Sequence, residues 1–179
     1  MEREKRHFDI VGQLGALRRY ARSLARNAAD AEDLVQDALV KAYERRRTFR
    51  PGGSLKAWLL SILHNTHIDR LRHAAARHQD ATAPLDELEA ATAATQDEAV
   101  RLQDIRRAFL ELPEDQRAAL HLVAVEDMSY QQAAEALGIP VGTLMSRISR
   151  ARARLRAIDG GDGAGREKNH LRLVGGSHD

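Results

Sequence analysis

The sequence predicts an all-α chain of two small helical domains joined by a flexible acidic linker, the second domain a helix-turn-helix. Three observations lead there. Aromatic residues make up only 4% of the 179 residues, while alanine, leucine, arginine and glutamate dominate and no alternating strand pattern competes. Apolar residues recur at gaps of three and four in several stretches, which is the helical period. Between those stretches the chain around Pro84 loses the period and turns to alanine, threonine and acid, the composition of a linker.

Phe8 to Asn27 reads as a first helix with Val11, Leu14, Leu17, Ala21 and Leu24 on its inner side. A second runs from about Ala31 to Arg46, with Leu34, Val35, Ala38, Leu39, Ala42 and Tyr43 packed inward and Asp33, Gln36 and Asp37 facing out. Pro51, Gly52 and Gly53 mark a loop, after which Ser54 caps a third helix reaching about Arg72, with Leu55, Trp58, Leu59 and Ile62 inside. The first domain thus spans residues 1–75. Residues 76–96 form the linker.

In the second domain, residues 97–158, a helix from Asp97 to Leu112 uses Leu102, Ile105, Phe109 and Leu112, and Pro113 ends it. Glu114 to Val125 is the next helix. Ser129 and Gln132 then form a capping-box start, Ala133 and Ala134 permit close helix approach, and Gly138 suits a left-handed helix end. Pro140 opens the last helix, where its missing N–H costs nothing. Val141, Leu144, Ile148, Ala151 and Leu155 make its buried stripe, and Thr143, Ser146, Arg147, Arg150 and Arg154 its other face. Five arginines and no acid between Val141 and Arg156 fit a helix that enters a DNA groove, where hydroxyls reach base edges and arginines grip guanine or phosphate. The remaining residues, 159–179, read as a glycine-rich disordered tail.

Net charge is only +2, so the nucleic-acid argument rests on where charge lies. Arg45, Arg46, Arg47 and Arg50 cluster in one place and the helix arginines in another, while acids crowd the middle. The absence of cysteine excludes disulfides and thiolate metal sites and suits a reducing cytoplasm. Neither a signal-peptide core nor a membrane-spanning run is present, so no membrane insertion is expected. His64, His67, Asp69 and His73 have the spacing of metal ligands but no distant partner ligand, and no phosphate-cradling loop or nucleophile motif occurs, so neither metal, cofactor nor enzymatic activity is expected.

Two residue sets carry alternative readings. Asp33, Gln36 and Asp37 share one helical face and suit a basic protein partner, or serve only the helix start and its dipole. The basic glycine loop of Phe49, Arg50, Gly52, Gly53 and Ser54 can approach a nucleic-acid backbone and leave room for an extruded base. Trp58 falls on the apolar stripe and reads as core, and Asn65 either joins the loop's site or satisfies a backbone group.

The segments DAEDLVQDALVKAY, FRPGGSLKAWLLSILHNTHIDRLR and LPEDQRAALHLVAVEDMSYQQAAEALGIPVGTLMSRISRARARLR, in that order, resemble the bacterial sigma-70 family sigma factors of the extracytoplasmic-function group. The resemblance covers nearly all but the tail. It implies a factor that binds core RNA polymerase through the β′ clamp helices and the β flap. Asp33, Gln36 and Asp37 would form the docking face. Phe49, Arg50, Gly52, Gly53, Ser54 and Asn65 would hold the single-stranded −10 element. Thr143, Ser146, Arg147, Arg150 and Arg154 would read the −35 duplex. Met145, Ser149 and Tyr43 depart from the usual pattern, so the promoter sequence does not carry over from relatives. DLVQDALVKAY with FRPGGSLKAWL is also similar to the general-stress-response subgroup of alphaproteobacteria, which implies an anti-sigma partner. The competing class is a stand-alone dimeric helix-turn-helix regulator, whose first domain would serve dimerisation or ligand binding.

Overall fold

The computed structural model describes residues 9–25, 27–50, 52–76 and 96–161, and every regular element among them is helical. After a 3₁₀ turn at Val11–Gln13 come α1 Leu14–Leu24, α2 Ala28–Glu44, a second 3₁₀ turn at Arg46–Thr48, and α3 Leu55–Ala76. The second unit comprises α4 Gln96–Leu110, α5 Glu114–Ala124, α6 Tyr130–Leu137 and α7 Val141–Gly161. The acidic linker, residues 77–95, and the tail from residue 162 lie outside the described residues.

The boundaries follow local chemistry. α1 ends earlier than its periodicity suggests, because Asn27 is the cap of the next helix: its side chain accepts the Asp30 N–H at 2.8 Å. Asp30 also supplies an acid to the positive first turn of α2. The turn before α6 is a full capping box, Ser129 and Gln132 each taking the other's backbone N–H at 3.2 Å. Gly138 (φ 64°) closes α6 in a Schellman turn, with Ile139 N–H on Ala134 O at 3.0 Å and Gly138 N–H on Glu135 O at 3.1 Å. The Gly138 turn sets the angle between α6 and α7.

Four apolar assignments need correction. Val11 is 77% exposed, because it sits in the 3₁₀ turn ahead of α1 and not on the helix. Tyr43, expected inside, is 62% exposed on the last turn of α2, where the Arg46 guanidinium covers its ring at 4.3 Å. Leu102 and Ile105 are exposed as well, since only the C-terminal part of that stripe, through Phe109 and Leu112, reaches the core.

The two units do not keep separate cores. α2 and α3 pack together under α1, α5 and α6 pack on α7, and then α1 lies against α5 and α3 against α6. Leu17, Tyr20, Leu59 and Leu63 of the first unit therefore share one apolar cluster with Leu122, Ala133, Leu137 and Leu144 of the second. Trp58 packs on that cluster from the side, its ring 5.4 Å from Phe49.

Candidate nucleic-acid interface

α7 projects the residues expected to meet duplex DNA. Leu144, Ile148 and Ala151 are buried, which turns the opposite side outward and leaves Arg150 and Arg154 exposed. Ser146 is half-buried and its hydroxyl donates to Thr143 O at 2.8 Å, so that hydroxyl is already engaged with the helix backbone. Arg147 departs from the rest. Only 26% exposed, it turns toward the start of α5 and pairs with Asp115 at 3.3 Å. There it lines a groove of about 470 Å³ with Leu137, Ile139 and Glu114 of its own unit and with His64 and Ile68 of α3. The five residues thus fall into an outward pair, a half-buried hydroxyl pair and an inward arginine.

In the first unit Asp33, Gln36 and Asp37 are all exposed along one face of α2. The acidic patch is less negative than the spacing suggests, because Arg70 of α3 reaches across to it. Its guanidinium bonds Asp37 Oδ2 at 3.1 Å through Nε and at 2.5 Å through Nη2, and meets Asp33 O at 3.0 Å. Arg70 thus belongs to this face. The loop before α3 holds Gly52 at φ 89°, which only glycine adopts without strain, and Gly53 N–H turns back to Arg50 O at 3.0 Å. Ser54 Oγ accepts the Ala57 N–H at 3.2 Å and so starts α3. Asn65 is exposed on the same helical face as Ser54, about 16 Å further along the axis at 1.5 Å per residue. Loop and asparagine are therefore two ends of one track and do not touch.

Residues that sequence reasoning passed over form the junction between the units. The end of α5 turns through Asp127 at φ 52°, and the Glu126 side chain beside it is fully buried. Arg19 of α1 grips that carboxylate with two bonds of 2.9 and 3.0 Å, and Lys56 of α3 lies 3.1 Å from it. Lys56 also donates to Glu126 O. His121 Nε2, at 3.5 Å, stands at the outer edge of bonding distance. Burial by itself would raise the Glu126 pKa, but the bonds from His121, Arg19 and Lys56 outweigh it and hold the group at about 2. Nearby, His67 Nε2 meets Glu114 Oε1 at 3.0 Å and Arg117 donates to Ser23 O. Tyr20, fully buried, packs its ring on His121 at 5.2 Å and shares a 3.0 Å hydrogen bond with His64 Nδ1. Burial lowers the His64 pKa to about 4, with further contributions from His67 and Arg147 opposed by Glu114. The histidines that suggested metal ligation are thus engaged by Tyr20, by Glu114 and, for His73, by Asp69 O at 2.6 Å.

Residues 11–77 match the family described as Sigma-70 region 2, and residues 102–155 that described as Sigma-70, region 4. The chain is 37% identical over 175 residues to the ECF RNA polymerase sigma factor EcfG of Rhodopseudomonas palustris, covering 94% of each chain. It is also 37% identical over 144 residues to the sigma factor SigM of Mycobacterium tuberculosis, covering 80% of this chain and 71% of the relative. Among solved structures, the sigma factor RpoE in complex with the anti-sigma factor NepR from Bartonella quintana superposes with a TM-score of 0.71 at 36% identity, covering 90% of this chain and 99% of that one. CnrH in complex with the cytosolic domain of CnrY gives a TM-score of 0.61 at 30% identity, covering 89% and 90%. No helix among the described residues is long and apolar enough to cross a membrane. With two helical units in family order and likeness along nearly its whole length, the chain belongs to the sigma-70 family as an RNA polymerase sigma factor of the extracytoplasmic-function group, a group of initiation factors and not of enzymes.

Proposed function

We propose that this sigma factor reads two physical states of one promoter. Residues 1–75 hold core polymerase and an opened −10 strand, and residues 97–158 grip the −35 duplex. The observation that carries the reading is α7 itself: the Schellman turn at Gly138 sets it against α6, and its buried stripe leaves Arg150 and Arg154 outward. On this reading Arg150 meets a base edge, Thr143, Ser146 and Arg147 join it once Arg147 leaves Asp115, and Arg154, farther along, meets a phosphate.

Asp33, Gln36 and Asp37 supply a carboxylate and amide face for the clamp helices of the polymerase β′ subunit, with Arg70 setting the orientation of Asp37. The loop of Phe49, Arg50, Gly52, Gly53 and Ser54 meets the strand at one end of α3, and Asn65 meets it three turns on. Unstacking a base costs a few kcal/mol, about what a stacking and electrostatic track returns per captured base. The β flap is the second polymerase contact. An anti-sigma factor restrains the free protein in the cytoplasm, in line with the solved relatives bound to NepR and CnrY, and a stress regulon is its output.

Reconstituted transcription with core polymerase on a pool of genomic promoter fragments tests the reading. Discrete transcripts from fragments sharing one −35 and one −10 element are expected, absent when core enzyme is omitted. Specific binding of a palindrome by the protein alone, with no gain in transcription, would favour a stand-alone regulator.

A further inference from the structure

We infer that Glu126 is an interdomain lock, intrinsic to this chain, that holds the −35 unit on the −10 unit and must open before both promoter elements are engaged. The inference rests on the sigma-factor reading and adds to it a specific residue and a cost. Glu126 belongs to the second unit, yet the cations that neutralise it, Arg19 and Lys56, both come from the first. A fully buried carboxylate keeps its charge only while such partners remain. The units therefore cannot part slightly: separation strips Glu126 of two cations at once and has to be completed by water.

The contacts around the lock are of the same kind. Arg117 bridges to Ser23 O, and His67 to Glu114. These polar contacts sit beside the apolar cluster that the two units share, so opening rehydrates the charged part while the apolar part favours closure. While it is closed, Arg147 faces the groove beside His64 and Ile68 instead of solvent.

Geometry makes the closed form incompetent. Promoter elements about 25 base pairs apart stand about 85 Å apart along the duplex, at roughly 3.4 Å per base pair. A closed chain of this length has a radius of gyration of about 16 Å. One closed molecule cannot reach both elements, so polymerase or DNA must supply the work of opening.

The chain has no cysteine, so Glu44→Cys and Asp104→Cys, both exposed positions, can carry a donor and acceptor dye on the full-length protein. Wild type should show one short dye separation. Arg19→Ala and Glu126→Gln should each raise the long-separation fraction at least tenfold, and Arg19→Lys, which keeps the charge but not the two-pronged grip, should fall between. Should Glu126→Gln fail to fold, Arg19→Ala still decides the matter, because Arg19 is half exposed and lies outside the second unit. A long separation in wild type, or an unchanged distribution in a folded Arg19→Ala protein, overturns the lock. Transcription with core polymerase, run in parallel, separates the two ideas. Failure to transcribe with a responsive lock removes the sigma reading, while normal transcription with an unresponsive junction removes the lock.

Discussion

Tyr20 and His64 permit a pH prediction whose size follows from the structure. The Tyr20 hydroxyl, kept neutral by burial, shares a 3.0 Å hydrogen bond with His64 Nδ1, and His64 is itself buried as a neutral imidazole. His64 has a pKa of about 4 in the folded protein, against 6.5 when free. Burial is the main cause; His67 on its own helix and Arg147 of α7 push the same way, and Glu114 of α5 opposes them. The unfolded chain thus binds a proton below pH 6.5 that the folded chain refuses until about pH 4. Stability from this group is complete above pH 6.5 and declines as pH falls toward 4, by at most about 1.4 kcal/mol per unit and about 3 kcal/mol in all.

Replacing both partners, Tyr20→Phe with His64→Leu, removes the titration without leaving an orphaned hydroxyl. Urea unfolding of wild type and the double variant at pH 7, 6, 5 and 4.5 should show wild type losing about 2 kcal/mol more stability over that range. Other groups titrate in both proteins and cancel in the difference. Parallel pH profiles would show that His64 is not buried as a neutral imidazole, and the packing of α1 on α3 would need revision.

Asp37→Arg should weaken core polymerase binding by about 2–5 kcal/mol, roughly thirtyfold or more in a titration. It should cost the fold under about 1 kcal/mol, because its pair with Arg70 is half exposed; unchanged affinity in a folded variant would reassign the face. Arg150→Ala should cost about 1–3 kcal/mol and relax preference at one base pair, whereas Arg154→Ala should lower binding to all sequences alike. A base-substitution scan in which only Arg154 alters preference reverses the two roles. Gly138→Ala should destabilise the second unit by about 1–2 kcal/mol through its left-handed φ alone, since a Cβ there meets nothing within 4 Å; a neutral thermal melt would show that the turn can rearrange. Asn65→Ala should impair strand opening, read by permanganate reactivity of unpaired thymines, more than −35 duplex binding, and normal opening would reduce α3 to a polymerase support.

Much of this protein was settled locally. The helices followed from apolar residues at gaps of three and four, the start of α6 from Ser129 and Gln132, and the α6–α7 turn from Gly138 and Pro140, because capping and left-handed closure are made by residues at most five positions apart. The outward placement of Arg150 and Arg154 on α7 was legible for the same reason, whereas Arg147, expected on that face, turns to Asp115. What periodicity cannot convey is which helix ends have a neighbour: Val11, Tyr43, Leu102 and Ile105 carry the right spacing but lie exposed. Nor can it pair charges across the chain. Arg70 with Asp37 is separated by 33 residues and Arg19 with Glu126 by 107, and in sequence each looks like an ordinary solvated side chain. Only folding, by removing Glu126 from water and placing two cations from the other unit against it, turned a surface-like acid into the most tightly held charge at the junction.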